Sequence, residues 1–146
     1  MKRIYIVAVL FVALCLGVYY VNHPLSSKVK IRGTVFTVDV AATEQQKELG
    51  LGGRDSMPLD HGMLFPYDHK EQYEYWMKGM HFPLDFLWID GKTVADMTPD
   101  IPFPTDGQPL RVVRPNVPVD KVLELNAGTI ARLGIQVGDP VEFIDR

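Results

Sequence analysis

The chain of 146 residues has one cysteine, Cys15, inside an N-terminal apolar run. The remainder therefore has no thiol nucleophile, internal disulfide or Cys-ligated zinc. Its stability must come from packing, for which about 120 residues suffice. No G-x-S-x-G, H-E-x-x-H or Walker sequence occurs, so the commonest nucleophilic, zinc-hydrolytic and nucleotide chemistries lack their motifs. Leu49-Gly50-Leu51-Gly52-Gly53 is not followed by Gly-Lys-Ser/Thr and ends a helical pattern instead of opening one. It does not read as a phosphate loop. Basic charge is also short, with 15 Lys and Arg against 18 Asp and Glu. Nucleic acid is not an expected partner. Repeats and low-complexity tracts are absent.

What is present begins with Ile4 to Val21, an uncharged run behind Lys2 and Arg3, with Tyr19 and Tyr20 near its far end. As a helix it would span roughly 27 Å, close to a bilayer core. This pattern predicts a transmembrane or signal helix over residues 1–22, with the N-terminus in the cytoplasm. Tyr19-Tyr20-Val21-Asn22-His23-Pro24 is a poor cleavage site, and bulky Leu14 spoils a lipoprotein box at Cys15, so an uncleaved signal anchor is expected. Residues 23–27 read as a linker. Residues 28–146 read as an extracytoplasmic domain, periplasmic or at the cell surface, whose one assigned partner is the membrane.

Period-two alternation dominates that domain. Lys28 to Ile31 and Thr34 to Val40 flank Arg32-Gly33, a hairpin pattern. Thr43 with Gln46 forms a capping-box pattern for a short helix ended by Gly50. Met63 to Phe65, Gln72 to Met77 and Leu84 to Ile89 read as strands, and Asp90-Gly91 turns the chain into Lys92 to Met97. Four prolines predict an irregular loop from Thr98 to Pro109. Arg111 to Val113, Val119 to Leu125 and Val141 to Ile144 complete the strands, and Asn126 can cap a short helix ending at Leu133, with Gly134 as its left-handed terminator. The expected fold is a mainly-β sandwich or barrel with two short helices.

Three blocks, GLGGRDSMPLDHGMLFPYD, YWMKGMHFPLDFLWIDG and VLELNAGTIARLGIQVGDPVEF, resemble the domain of unknown function 192 family over nearly all of the chain after the linker. The resemblance implies a compact, mainly-β domain, often secreted or membrane-anchored, and no established reaction. Its more usual wording after Trp-Met-Lys is Asn-Thr, where this chain has Gly79-Met80.

Lys78 and Asp85 stand isolated in an apolar stretch, so each must be paired or point at something. Arg54 is placed to pair with Asp85 or Glu124, and Glu124, between Leu123 and Leu125, reads as a residue facing away from the core. Arg54, Trp76, Lys78, Asp85 and Glu124 are the candidate ligand pocket, with Arg54, Lys78 and Asp85 expected around one depression beside Trp76. The leading function is a non-enzymatic binding or scaffold domain for an unknown small molecule or protein, with no cofactor and no metal. A second is a hydrolase using Asp85 and Glu124 as a carboxylate pair with Arg54. A third is a soft-metal carrier through Met77, Met80 and His81, which requires Gly79 to make a turn.

Overall fold

The computed structural model describes Val9, residues 25–105 and residues 109–144. The expected anchor, Ile4 to Val21, lies outside the described residues apart from Val9. Among the described residues no helix is long and apolar enough to cross a membrane.

Arg32 (φ 47°) and Gly33 (φ 81°) make the expected tight turn, so β1 (Leu25–Ile31) and β2 (Thr34–Val40) pair with Ile31 opposite Thr34. The strand begins at Leu25, inside the stretch read as linker. It does so because Leu25 pairs with Val40 at the far end of β2; on its other side β1 pairs with β9 (Val141–Ile144), which places Lys28 opposite Ile144. Thr43 caps α1 (Glu44–Leu49) in a complete capping box, and Gly50 closes it. The chain then enters β3 (His61–Glu71), which pairs in parallel with β2 and antiparallel with β8 (Val119–Asn126). Next come the short β4 (Tyr75–Trp76), then β5 (Leu84–Asp90), β6 (Thr93–Ile101) and the short β7 (Val112–Val113). Between β8 and β9 lies α2 (Thr129–Leu133), ended by left-handed Gly134.

Seven strands form one sheet in the order β6-β5-β8-β3-β2-β1-β9, and β4 and β7 form a separate ribbon. The two edges of the sheet meet at one end. Val94 N–H donates to Asp139 O at 3.0 Å, Gly138 N–H to Val94 O at 2.8 Å and Val141 N–H to Lys92 O at 2.8 Å. The architecture is thus a curled, half-barrel sheet. Its concave face buries Val29, Ile31, Phe36, Val38, Leu64, Leu87, Ile89, Leu123 and Leu125 with Ile130 and Ile135. The other face of the central strands carries Met63, Phe65, Phe86, Trp88 and Val122 and is covered by Leu51, Tyr75, Met77, Met80 and Phe82. Being covered on both sides explains why β5 is buried from Leu84 to Ile89.

Three local expectations change. The region around Pro99 is strand, not loop. β6 is the outermost strand of the sheet, where a residue without an N–H removes no ladder bond on the open side. Only Tyr75–Trp76 of the expected 72–77 strand is extended pairing, because its partner β7 is equally short. Asn126 does not cap α2. Its amide donates to Met57 O (3.1 Å) and Pro58 O (3.0 Å), and the N-cap position is Gly128, which provides no side-chain cap.

Asp85 takes over that capping from across the fold. It is fully buried, and its carboxylate accepts from Ile130 N–H at 2.7 Å and from Asp100 N–H at 2.8 Å. One side chain thereby satisfies an amide in the first turn of α2 and an amide at the end of β6, where Asp100 has a positive φ of 53°. Asp85→Ala should cost about 2–4 kcal/mol, the scale for removing buried bonds to a charged acceptor. Asp85→Asn, which keeps one oxygen, should cost less. Urea denaturation of the two variants checks this; a loss below about 1 kcal/mol for Asp85→Ala would show that these amides are served otherwise.

Candidate functional site

The site forms where the end of α1 meets the turn after β4. Gly79 is left-handed (φ 70°), and Met80 N–H closes the turn onto Met77 O at 3.3 Å. Gly53 N–H donates to Gly79 O at 2.8 Å. A Cβ on Gly52 would lie 3.0 Å from Leu49 O and 3.3 Å from Lys78 O. The glycine run therefore lets the α1 terminus dock closely on the Lys78-Gly79 turn. Position 79 needs a residue that tolerates positive φ, which Gly and Asn both do. The departure from Asn-Thr thus keeps the turn and makes the neighbouring wall apolar with Met80.

Two neighbouring spaces open there. An outer groove of about 500 Å³ runs between Gln45, Leu49, Gly53, Trp76, Lys78 and Gly79. An inner cavity of about 90 Å³ shares Glu48, Leu49, Gly52, Trp76 and Lys78 with it and reaches Phe65, Tyr67, Tyr75, Met80 and Glu124. Tyr75 is held in the outer core by edge contacts to Phe65 (5.1 Å), Trp88 (5.7 Å) and Phe86 (5.8 Å). Its hydroxyl lies 2.8 Å from that of Tyr67. Burial raises the pKa of both phenols, so the pair stays protonated. Trp76, 49 % exposed, stands at the mouth.

Glu124 is the unusual group. It is 5 % exposed, and among the described residues its Oε2 is the one buried side-chain polar atom without a hydrogen-bond partner. Burial pushes its carboxyl up to about 8, against a smaller downward pull from the Arg54 guanidinium. The sequence pattern suggested a Glu124 facing outward from the core. The side chain does lie on the face opposite Leu123 and Leu125, but that face is roofed by α1, β4 and their loops, so Glu124 is enclosed.

The remaining predicted residues divide. Trp76, Lys78 and Glu124 line the site. Arg54 pairs with Asp39 at 2.9 Å, not with Asp85 or Glu124, and acts on Glu124 through its field. Asp85 is not in the depression. It stands opposite Leu125 in the β5–β8 register, whereas Glu124 stands opposite Phe86. The two carboxylates thus point to opposite faces of the sheet, and the Asp85–Glu124 acid–base pair is ruled out. The turn required for a Met77–Met80 pair does form, but Met77 is fully buried in the outer core and exposed His81 contacts Asp55 at 3.2 Å. Among the described residues no cluster of three His, Cys, Asp or Glu side chains suits a metal ion. Sequence reasoning missed Phe65, Tyr67 and Tyr75 as walls. Their alternation was visible, but not which face the long loops would cover.

Glu124→Gln should change how stability depends on pH. The carboxyl is ionised in the unfolded chain above about 4.5 but stays protonated in the fold to about 8. Over that interval the folded state binds more protons, so Glu124 makes the protein progressively less stable as pH rises. The stability of Glu124→Gln relative to the parent should grow from pH 5 to pH 8 and level off above. Chemical denaturation at stepped pH measures it; parallel pH profiles would show an ordinary carboxyl.

Comparison with known proteins matches this architecture. A crystal structure of a candidate transcription regulator from Sinorhizobium meliloti 1021 superposes with a TM-score of 0.74 at 33 % identity, covering 82 % of this chain and 95 % of that one. A protein of unknown function from Novosphingobium aromaticivorans DSM 12444 gives 0.70 at 28 % identity, covering 81 % and 84 %. None of the curated proteins compared with the chain matches it. Residues 27–143 match the model of the family described as uncharacterized ACR, DUF192, and the chain accordingly belongs to the domain of unknown function 192 family.

Proposed function

We propose that this protein is a non-enzymatic binding domain, anchored by Ile4 to Val21 on the outer face of a membrane, whose ligand enters past Trp76 and Lys78 to reach Glu124. The observation that carries the proposal is the buried, unpartnered Oε2 of Glu124, a residue that lines a cavity with aromatic walls. A buried polar atom without a partner costs stability, about 1–3 kcal/mol or more when charged. Such a cost is characteristic of sites shaped for a ligand. The outer groove has the size of a small-molecule site, and it sets Leu49 and Trp76 beside the polar Gln45, Glu48 and Lys78. With Asp85 on the other face, the division of acid and base roles between Asp85 and Glu124 has no geometric support. That favours binding over hydrolysis.

A fragment screen against the full-length chain, followed by amide NMR shifts, tests the binding site. Hits should perturb Tyr75, Trp76, Met80 and Glu124 together. Hits that leave these four unmoved while shifting other surfaces would overturn it. Protease added to intact cells tests the anchor. The domain should be digested without lysis, and protection until lysis would place it on the inner side.

A further inference from the structure

Building on that binding site, we infer that its ligand is a small organic ammonium ion, with the positive charge against the Glu124 carboxylate and the carbon surface against Phe65, Tyr67 and Tyr75. Glu124 is nine-tenths or more buried and lines the cavity, and its buried Oε2 lacks a partner. A cation or a hydrogen-bond donor satisfies it; an anion does not. Phe65, Tyr67 and Tyr75 line the same cavity, and aromatic rings attract ammonium groups through their quadrupoles. The rim already shows this chemistry. Lys47 Nζ lies 4.3 Å from the centroid of the Tyr67 ring, which also stacks on Tyr73 at 3.6 Å.

The charges around the space favour the same choice. Lys47 is committed to Glu44 at 3.0 Å and Arg54 to Asp39 at 2.9 Å. Glu48 and Glu74 join Glu124 in the lining, and Lys78 is exposed at the mouth. An anionic group driven inward would leave exposed Lys78 at the mouth and meet Glu124 together with Glu48 and Glu74. An ammonium entering the cavity exchanges for the proton of Glu124, which leaves to solvent, so charge balances with no other participant. The titratable groups that share the lining with Glu124 are Tyr67 from β3, Tyr75 from β4, Glu74 just before it, Lys47 and Glu48 from α1 and Lys78 from the turn, and Arg54 acts on it from the loop after α1. The two phenols are raised away from neutrality by burial.

The test compares choline with its uncharged isostere 3,3-dimethylbutanol by isothermal titration against the full-length chain. Choline should bind at least about tenfold more tightly, the scale of a desolvated cation–π contact with charge pairing. Its affinity should rise from pH 6 to pH 8, by up to about tenfold per unit, because binding expels a proton. Glu124→Gln should lose both the preference and the pH dependence while still binding the alcohol. Equal binding of the two probes, or tighter binding of the alcohol, would overturn the ammonium assignment and leave the pocket standing. If neither binds while fragments still shift Tyr75 and Glu124, the ligand class is wrong and the site is right. If fragments also fail, the site itself falls.

Discussion

Strict alternation in strands that are covered on both faces governs this molecule. In the covered stretches 63–65, 84–89 and 122–125 of β3, β5 and β8, successive side chains turn alternately to one core and the other. Leu123 and Leu125 enter the concave core, so Glu124 must face outward; Phe86 and Trp88 enter the outer core, so Asp85 must face inward. Because the outer face is roofed, an outward carboxylate is not a solvated one. The same period that places a charge on the ordinary surface of a two-layer sheet here seals it in a cavity.

The two buried carboxylates show how environment divides a single chemistry. Asp85 has two backbone N–H donors at 2.7 and 2.8 Å and serves the fold, tying the start of α2 to the end of β6. Glu124 has an oxygen with no partner, aromatic walls and a carboxyl raised by desolvation. The first is satisfied by the chain itself and the second is not. That contrast, more than the shape of the groove, separates the residue that serves the fold from the one proposed to bind.

The glycines near the site work by proximity. Gly52 allows the α1 terminus within contact of Lys78 O, and Gly79 supplies the left-handed turn that lets Met80 face the cavity. A run that resembles a phosphate loop in composition is here a docking surface between two pieces of backbone. It sets the position of Trp76 and Lys78 at the mouth without touching a ligand itself.

Local chemistry determined much of the fold by itself. The Arg32-Gly33 turn, the capping box at Thr43 and Gln46, left-handed Gly134 and the family blocks are short-range or linear signals, and each is present where the sequence places it. Trp76, Lys78 and Glu124 were legible as site residues because an isolated polar or aromatic group in an apolar block needs a destination. Only the tertiary structure decided what those destinations are. Whether Pro99 sits in a strand depends on β6 being an edge, and whether Arg54 meets Asp39 or Asp85 depends on which strands lie beside its loop. The side of the sheet on which Asp85 and Glu124 lie follows from their registers with each other and from what covers the sheet. These are contacts between residues far apart in sequence, and no local propensity encodes them.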